Sequence, residues 1–461
     1  MSNLFGSLSI AVRSLLAQQG ALDTTANNLS NVNTPGYSRQ LPILTEAPPL
    51  DTGQISIGNG VNFEGVQSVR DIILELLIDE EIQQQNRLKF FVSSMNPVLS
   101  LFHETEGTGL DDAINRLFNS FQELSANPTH VPARQVVISA GQDLASAFRE
   151  TGQQLRTIQE RVDQEVRQTV EEIDSHTAQL AGLNQPVASL QGDSERAGRL
   201  DHQRHSVLDR LSKLVDVVVT DSGDGSLTVT TSNGVPLVAA AQSFSLSTAA
   251  DPDTGFLHIF SPGTDVTLEF TGGQLAGLLE ARDQAIPSVL SNTDNLASGI
   301  ITSINSQNQK GYDLNGDPGG NFFQPVVQPL PGSKGGAADN MATAITDPSR
   351  IAASADGTQG DNANALAMAN IRKQAVVKGE TATHFYSNLV CRVGNKVSSA
   401  TDEQEAVGLV LMQLQKQRAD IARVSWDEEA ANLIRYQRAY EAATKVVAAI
   451  NEITSEVIPT L

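Results

Sequence analysis

His202 and His205, in Asp201-His202-Gln203-Arg204-His205, stand one helical turn apart and are the first pair whose spacing permits a shared metal ion. No third ligand follows at a suitable spacing and Arg204 opposes a cation, so both are read as surface histidines. Asp313-Leu314-Asn315-Gly316-Asp317 begins like a calcium loop, with oxygen donors at alternate positions. Pro318 then takes the place of the turning glycine and Gln324 that of the bidentate glutamate, which leaves a polar turn. Acidic runs at Asp79-Glu80-Glu81, Asp402-Glu403-Gln404-Glu405 and Asp427-Glu428-Glu429 offer acid and base pairs, but on amphipathic helices such runs form solvated faces. The last also opens a helix, where the dipole favours negative charge. Cys391, amid Leu389, Val390 and Val393, is expected as a buried structural thiol rather than a nucleophile. The chain has no nucleophile elbow, phosphate loop, dinucleotide glycine pattern or zinc-protease motif. No catalytic, metal-binding or cofactor-binding residue is assigned, and an enzyme is not expected.

The elements that carry these residues are read from apolar spacing. Leucine recurs every seven residues at Leu8, Leu15, Leu22 and Leu29, with Ala11, Gln18, Thr25 and Val32 three places on. This is a heptad stripe whose second seam is small or polar, half of a hydrophobic interface and marginal as an isolated helix. Pro35-Gly36 ends it. Residues 37–68 alternate and turn, an irregular β connector. A helical stripe from about Arg70 past Phe102 offers Leu74, Leu77, Leu88, Phe91, Met95, Val98 and Phe102 to a core. Leu110, Ile114, Leu117, Phe121 and Leu124 supply a second, closed by Asn127-Pro128, and Val131 to about Leu183 a rod-like third. After a shorter helix ending near Leu214, period-two alternation and turn residues divide 215–271 into roughly six short strands. Helical spacing returns from Leu275 to Ile304, with a kink expected at Pro287. The glycine- and proline-rich stretch 310–336 is expected as a long loop or poorly regular excursion. Helices resume from about Asn362 to Ala422. Ser425-Trp426-Asp427-Glu428 fits a capping box that opens a last helix, striped by Leu433, Tyr436, Tyr440, Ala443, Val447, Ile450 and Val457.

The fold class is therefore mainly α with a β insertion: a long-helix bundle or coiled coil from the N- and C-terminal halves, with a small inserted β-domain. The expected units are an inner terminal part at 1–68, a helical body at 69–214, the β insertion at 215–271, the second half of the body at 272–424, and a C-terminal helix at 425–461. Both ends carry unpaired stripes, so the terminal helices either pair with each other and with neighbouring copies or complete an intramolecular bundle. The pattern leaves both open. Trp426 is equally a simple apolar contact or an interface anchor.

Composition narrows the partners. The 461 residues carry 31 basic and 53 acidic side chains, a net charge of −22 that repels phosphate backbones and anionic lipid over the molecule as a whole. One cysteine closes no intrachain disulfide. No apolar run approaches the ~18 residues of a membrane span. The first positive side chain, Arg13, falls where a signal peptide would need its apolar core, so a cleavable signal is not expected. Only 5% of residues are aromatic, which suits extended helical surfaces better than a deep substrate pocket.

Ala26-Asn27-Asn28-Leu29-Ser30-Asn31-Val32-Asn33-Thr34-Pro35-Gly36-Tyr37 resembles the N-terminal signature of the flagellar axial proteins, the family of rod, hook and hook-associated proteins. Asp427-Glu428-Glu429, Asn432-Leu433-Ile434 and Tyr436-Gln437-Arg438-Ala439-Tyr440 resemble its C-terminal segment. Inside the chain, the run from Leu117 to Pro128, Ala133-Arg134-Gln135, and Gly311-Tyr312-Asp313-Leu314-Asn315-Gly316 resemble the hook-associated branch that joins hook to filament. The β insertion carries no such likeness, and Trp426 stands where the family has a smaller aliphatic residue. The chain is short for the branch, which implies a reduced or absent outer domain.

The resemblance implies a motif set of Asn27, Asn28, Leu29, Asn31, Asn33, Thr34, Pro35, Gly36 and Tyr37 with Glu428, Glu429, Asn432, Leu433, Tyr436, Gln437, Ala439 and Tyr440. It implies type III export, an extracellular place in the flagellum, and terminal helices that are disordered in the free chain and pair in the inner tube. Leu8, Leu15, Leu22 and Leu29 are then expected to meet Leu433, Tyr440, Val447 and Ile450 in the polymerisation interface. Implied partners are identical subunits in a ring, the hook protein, a second junction protein beside the filament, and an export chaperone on Ser425 to Val457. No cofactor, nucleic acid or membrane is implied. A hook or distal-rod protein is the alternative, disfavoured by the long helix of 131–183. A secreted hydrolase would need an acid, base or metal cluster in the β insertion, whose one histidine is His258.

Overall fold

A computed structural model describes residues 2–34, 37–51, 56–69, 71–102, 109–187, 194–222, 225–326 and 335–457. Pro35 and Gly36 of the N-terminal motif, and 327–334 of the glycine-rich stretch, lie outside the described residues.

The chain opens with α1 (Ser2–Ser30), then β1 (Gln40–Glu46), β2 (Leu50–Asp51), β3 (Ser56–Ile57) and β4 (Val61–Ser68). β1 and β4 pair antiparallel from Gln40 opposite Ser68 to Glu46 opposite Val61, with a bulge where Ile43 faces Gly65 but Leu44 faces Phe63. Four helices follow: α2 (Ile72–Leu101), α3 (Leu110–Ala126), α4 (Val131–Val187) and α5 (Ser194–Leu214). Along α4, 57 residues long, Val137, Leu144, Phe148, Leu155, Val162, Val166, Ile173 and Leu180 are buried, so the three-four step does fix one face of a rod.

The insertion holds seven strands among the described residues, where the turn signals suggested about six. β5 (Val218–Asp221), β6 (Leu227–Thr230), β7 (Pro236–Ala239) and β8 (Gln242–Ser243) form one sheet in that order. β9 (Ser247–Ala250), β10 (Leu257–Ser261) and β11 (Thr264–Asp265) form a second with β10 central. The Asn184 amide of α4 donates to the carbonyls of Leu227 and Ala240, both at 2.8 Å, which fastens the first sheet to the rod.

The second half of the body runs through α6 (Gly273–Glu280), α7 (Ile286–Asn308), α8 (Ala363–Asn370) and α9 (Ala382–Ala422), and α10 (Trp426–Val457) closes the chain. The irregularity expected at Pro287 falls one turn earlier, as a π-turn over Ala281–Ala285. It places the buried Arg282 so that Nη1 reaches Asp163 Oδ1 at 2.7 Å and the Leu257 carbonyl at 2.8 Å, while Nε reaches Asp283 at 2.7 Å. Pro287 then sits in the first turn of α7, where its missing N–H does no harm.

One continuous core spans α2 to α9 and the inner faces of both sheets. A second, small one, Leu74, Ile78 and Leu411 with Ile82 and Leu414 against them, holds the near end of α2 to the far end of α9. Three expectations need correction. Leu77 is exposed, because the face that α2 turns to α9 carries Leu74 and Ile78 instead. Cys391 is exposed rather than buried: its neighbours Leu389 and Val393 face the core from the other side of α9. Finally, the described part of 310–336 is irregular but no excursion, since Phe322 and Phe323 are fully buried and meet edge to face with ring centroids 4.8 Å apart, and the Phe121 ring of α3 lies 5.5 Å from that of Phe322. Gly141 of α4 makes that possible, because a Cβ there would lie 2.7 Å from the Phe322 ring.

Candidate functional site

The two terminal motifs meet. α1 and α10 pack along one another, and α1 also lies across β4, where a Cβ on Gly20 would fall 2.8 Å from the Phe63 ring. The fully buried seam of α1 is Ala11, Ala17, Ala21, Thr24, Thr25 and Asn28; Leu8, Leu15, Leu22 and Leu29 are half-buried beside it. Small side chains line the seam because the helix backbones approach closely, and Thr24 and Thr25 return their hydroxyls to the carbonyls of Gly20 and Ala21. On α10, Glu429, Ala443 and Ile450 are buried, and Asn432, Leu433, Tyr436, Ala439, Tyr440 and Val447 half-buried.

At the joint, Asn28 is 1% exposed and all of its amide is used. Its Nδ2 donates to the Gln40 carbonyl at 2.7 Å and to Glu429 Oε2 at 3.2 Å. Its Oδ1 accepts from the Gln40 N–H and the Tyr37 hydroxyl, both at 2.9 Å. The other oxygen of Glu429, a side chain 2% exposed, accepts from Arg39 Nε at 2.8 Å. The outer face of Arg39 takes Glu428, through Nη2 at 2.8 Å and Nη1 at 3.1 Å. Burial first, and the Glu429 charge second, push the Tyr37 phenol up to about 12, so it is a hydrogen-bond donor throughout the physiological range. Burial works against the Arg39 guanidinium, yet hydrogen bonds to Glu428 and Glu429 hold it above its usual value. The result is a clasp of α1, the connector and α10, with no reacting group in it.

Of the remaining motif residues, Asn31 caps the end of α1: its Nδ2 donates to the Asn27 carbonyl at 3.0 Å and to Asn27 Oδ1 at 2.9 Å, and its Oδ1 accepts from Thr34 at 3.2 Å. Asn33 is exposed, as is Gln437, which reaches Glu441 at 3.4 Å. Ser425 Oγ accepts the Glu428 N–H at 3.4 Å, but the Glu428 carboxylate turns to Arg39 instead of back to the cap, so only half of the capping box forms. The acidic run 427–429 is likewise not a wholly solvated face, since Glu429 is buried. Neither Arg39 nor Gln40 was singled out by sequence reasoning. The signal for Arg39 was a rare basic side chain two residues after one motif, in a chain whose other motif opens with three acids.

The other candidates for chemistry stay apart. Among the described residues no group of three His, Cys, Asp or Glu side chains could hold a metal ion. His205 Nδ1 lies 2.9 Å from the Asp201 carbonyl oxygen, and the side chain of His202 lies outside what is described. Asp313 Oδ1 accepts the N–H groups of Asn315 and Asp317, the polar turn expected. His258 pairs with Asp265 at 2.6 Å on the sheet surface. Asp79 departs from its solvated-face reading: burial, then Asp209 and Glu75, push its carboxyl up to about 7 against the pull of Arg418.

Comparison with known proteins follows the same layout. Residues 8–37 match the family model described as flagella basal body rod protein, and 422–458 the flagellar basal body rod FlgEFG protein C-terminal model, the two stretches that the clasp joins. Residues 95–323 match the flagellar hook-associated protein FlgK helical domain. Flagellar hook-associated protein 1 of Bacillus subtilis is 30% identical, over 99% of this chain and 98% of that protein. The chain belongs to the flagellar hook-associated protein 1 family. The Escherichia coli member is 26% identical over 97% of this chain and 98% of its own length. The structure of the flagellar hook junction protein FlgK from Burkholderia pseudomallei shares the fold at a TM-score of 0.66 and 20% identity, covering 76% of this chain and all of that one. As a hook-associated family member the chain is a structural component of the flagellum. Among the described residues no helix is long and apolar enough to cross a membrane. The interior stretches that resembled the hook-associated branch serve its core: the buried Arg134 donates to the carbonyls of Pro128, Pro348 and Ile351, tying the α3–α4 turn to the segment before α8.

Proposed function

We propose that this chain is a non-catalytic adaptor at the junction of hook and filament, exported by the flagellar type III route and polymerised through its joined termini. The observation that carries the reading is the apolar surface left over once α1 and α10 have paired. Leu16 is 59% exposed, and Val12, Ile434, Val446, Ile453 and, on β1, Leu41 and Ile43 are exposed with it. Apolar side chains in such number on one unit mark a protein contact surface, and identical subunits in a ring are the partners that fit. The half-buried Leu8, Leu15, Leu22, Leu29, Leu433, Tyr440 and Val447 lie at the edge of this surface, so ordering of the termini is offset by burial when neighbours are present. The β insertion, fastened to α4 through Asn184, is the part proposed to face outward. The hook protein, a second junction protein, and a chaperone on Ser425 to Val457 complete the proposed set of partners.

Negative-stain microscopy of cells lacking the gene, with an assay for flagellin in the medium, tests this. Hooks without filaments and leaked flagellin are expected. Absence of hooks would move the protein to the rod or hook, and normal filaments would refute the junction role. Leu22→Asp should abolish assembly while the helical body keeps its circular dichroism.

A further inference from the structure

The buried Glu429, Ala443 and Ile450 of α10, with the half-buried Tyr436 between the first two, follow one another at seven-residue steps. On α1 the same step leads from Asn28 back to Ala21 and Ser14. The end of α1 touches the start of α10, through Asn28 and Glu429, and the helices pack along their length, so they run antiparallel. One heptad back along α1 and one forward along α10 from that contact gives the layers Ala21 with Tyr436, and Ser14 with Ala443.

Most of this seam is small. Ala11, Ala17 and Ala21 present short knobs, and a slip of one heptad would move Tyr436 of α10 from Ala21 to Ser14, one small side chain to another, at little loss of contact. Apolar packing alone therefore discriminates poorly between registers. Asn28 and Glu429 are the buried polar members of the two heptads, and Glu429 has its partners only when it stands opposite Asn28 with Arg39 beside it. A one-heptad slip, about 10 Å along the axis, would leave the Glu429 carboxylate buried against an apolar seam.

We propose that Asn28, Arg39 and Glu429 are positioning residues that fix the axial register of α1 on α10, and so the height at which each subunit presents its contact surface to the next. A polar group at one core position is the best-attested device for setting helix register. The inference deepens the assembly reading and rests on it, because the register that matters is the one in the assembled ring.

The test is disulfide trapping in flagella sheared from cells whose only copy carries Cys391→Ser. Ser14→Cys is combined in turn with Ala443→Cys, the in-register layer, and with Tyr436→Cys or Ile450→Cys, the layers one heptad away on either side. With the clasp intact, the 14–443 product should dominate. With Asn28→Leu, Arg39→Met and Glu429→Leu together, its share should fall about threefold or more while a slipped product appears. An unchanged 14–443 product would overturn the register role. Loss of all three products, with the chain still present in flagella, would show the clasp to be a source of stability and would overturn it too. Absence from flagella of the chains with an intact clasp would instead refute the assembly reading, and the register proposal with it. The conservative Glu429→Gln, which keeps an acceptor for Arg39, should retain the in-register product.

Discussion

Removing Arg39 separates the two halves of the clasp. Arg39→Ala takes one hydrogen-bonded ion pair from Glu429, at 2.8 Å with the glutamate side chain 2% exposed, and another from Glu428, whose side chain is 57% exposed. The exposed half is worth at most ~1 kcal/mol. The buried half is different, because Glu429 keeps only the Asn28 amide at 3.2 Å and must hold a desolvated charge without a cation. Breaking such a pair from one side costs about 3–5 kcal/mol. Pairing of the terminal helices should therefore weaken by about 4 kcal/mol, close to a thousandfold. Hydrogen exchange of sheared flagella, read on peptides covering 21–30 and 429–436, reports that opening free energy directly. Glu429→Gln in the Arg39→Ala background should recover more than half of the loss, since the stranded charge is gone. A loss below ~1 kcal/mol, or no recovery, would refute the view that desolvated charge at Glu429 dominates the joint.

The body offers three further tests. Gly277→Ala gains ~1 kcal/mol in helix propensity, but its Cβ would sit 2.1 Å from the Arg87 carbonyl oxygen where α6 crosses α2; backbone cannot yield there, so Tm should fall by several degrees, and a rise would refute the close approach. Asp79 has a folded-state pKa of about 7, raised above the ~3.9 of an unfolded aspartate, so the folded chain binds the extra proton and this group lowers stability as pH climbs from about 4 to about 7, with no further loss above. Asp79→Asn should accordingly raise the urea midpoint at pH 8 and barely move it at pH 4; equal shifts at both would contradict the assignment. Exposed Cys391 should take one maleimide in the folded protein without change in circular dichroism, whereas labelling only after denaturation would show it covered.

Features that depend on neighbours along the chain were legible in the residue order. Period and stop signals placed α3 and α10 nearly to the residue and the start of α4 at Val131, though they ran α4 only to about Leu183 where it reaches Val187, because a buried helix face needs only apolar side chains at three-four spacing. They also located the β insertion and both terminal motifs. Tertiary structure decided what depends on distant partners. Leucine spacing marks an apolar stripe on α1, yet the most buried seam is the small one, since burial follows how closely a second backbone approaches. Cys391 has the apolar neighbours of a core residue and faces outward, because which side of the helix meets the core is a matter of docking. Phe322 and Phe323 enter the core from a stretch without periodicity, so nothing local announced them. Glu429 reads as one of three acids at a helix start, and becomes a buried charge only when Arg39, 390 residues earlier, is brought against it. Desolvation and register are properties of the pair, and a pair that far apart exists only in the fold.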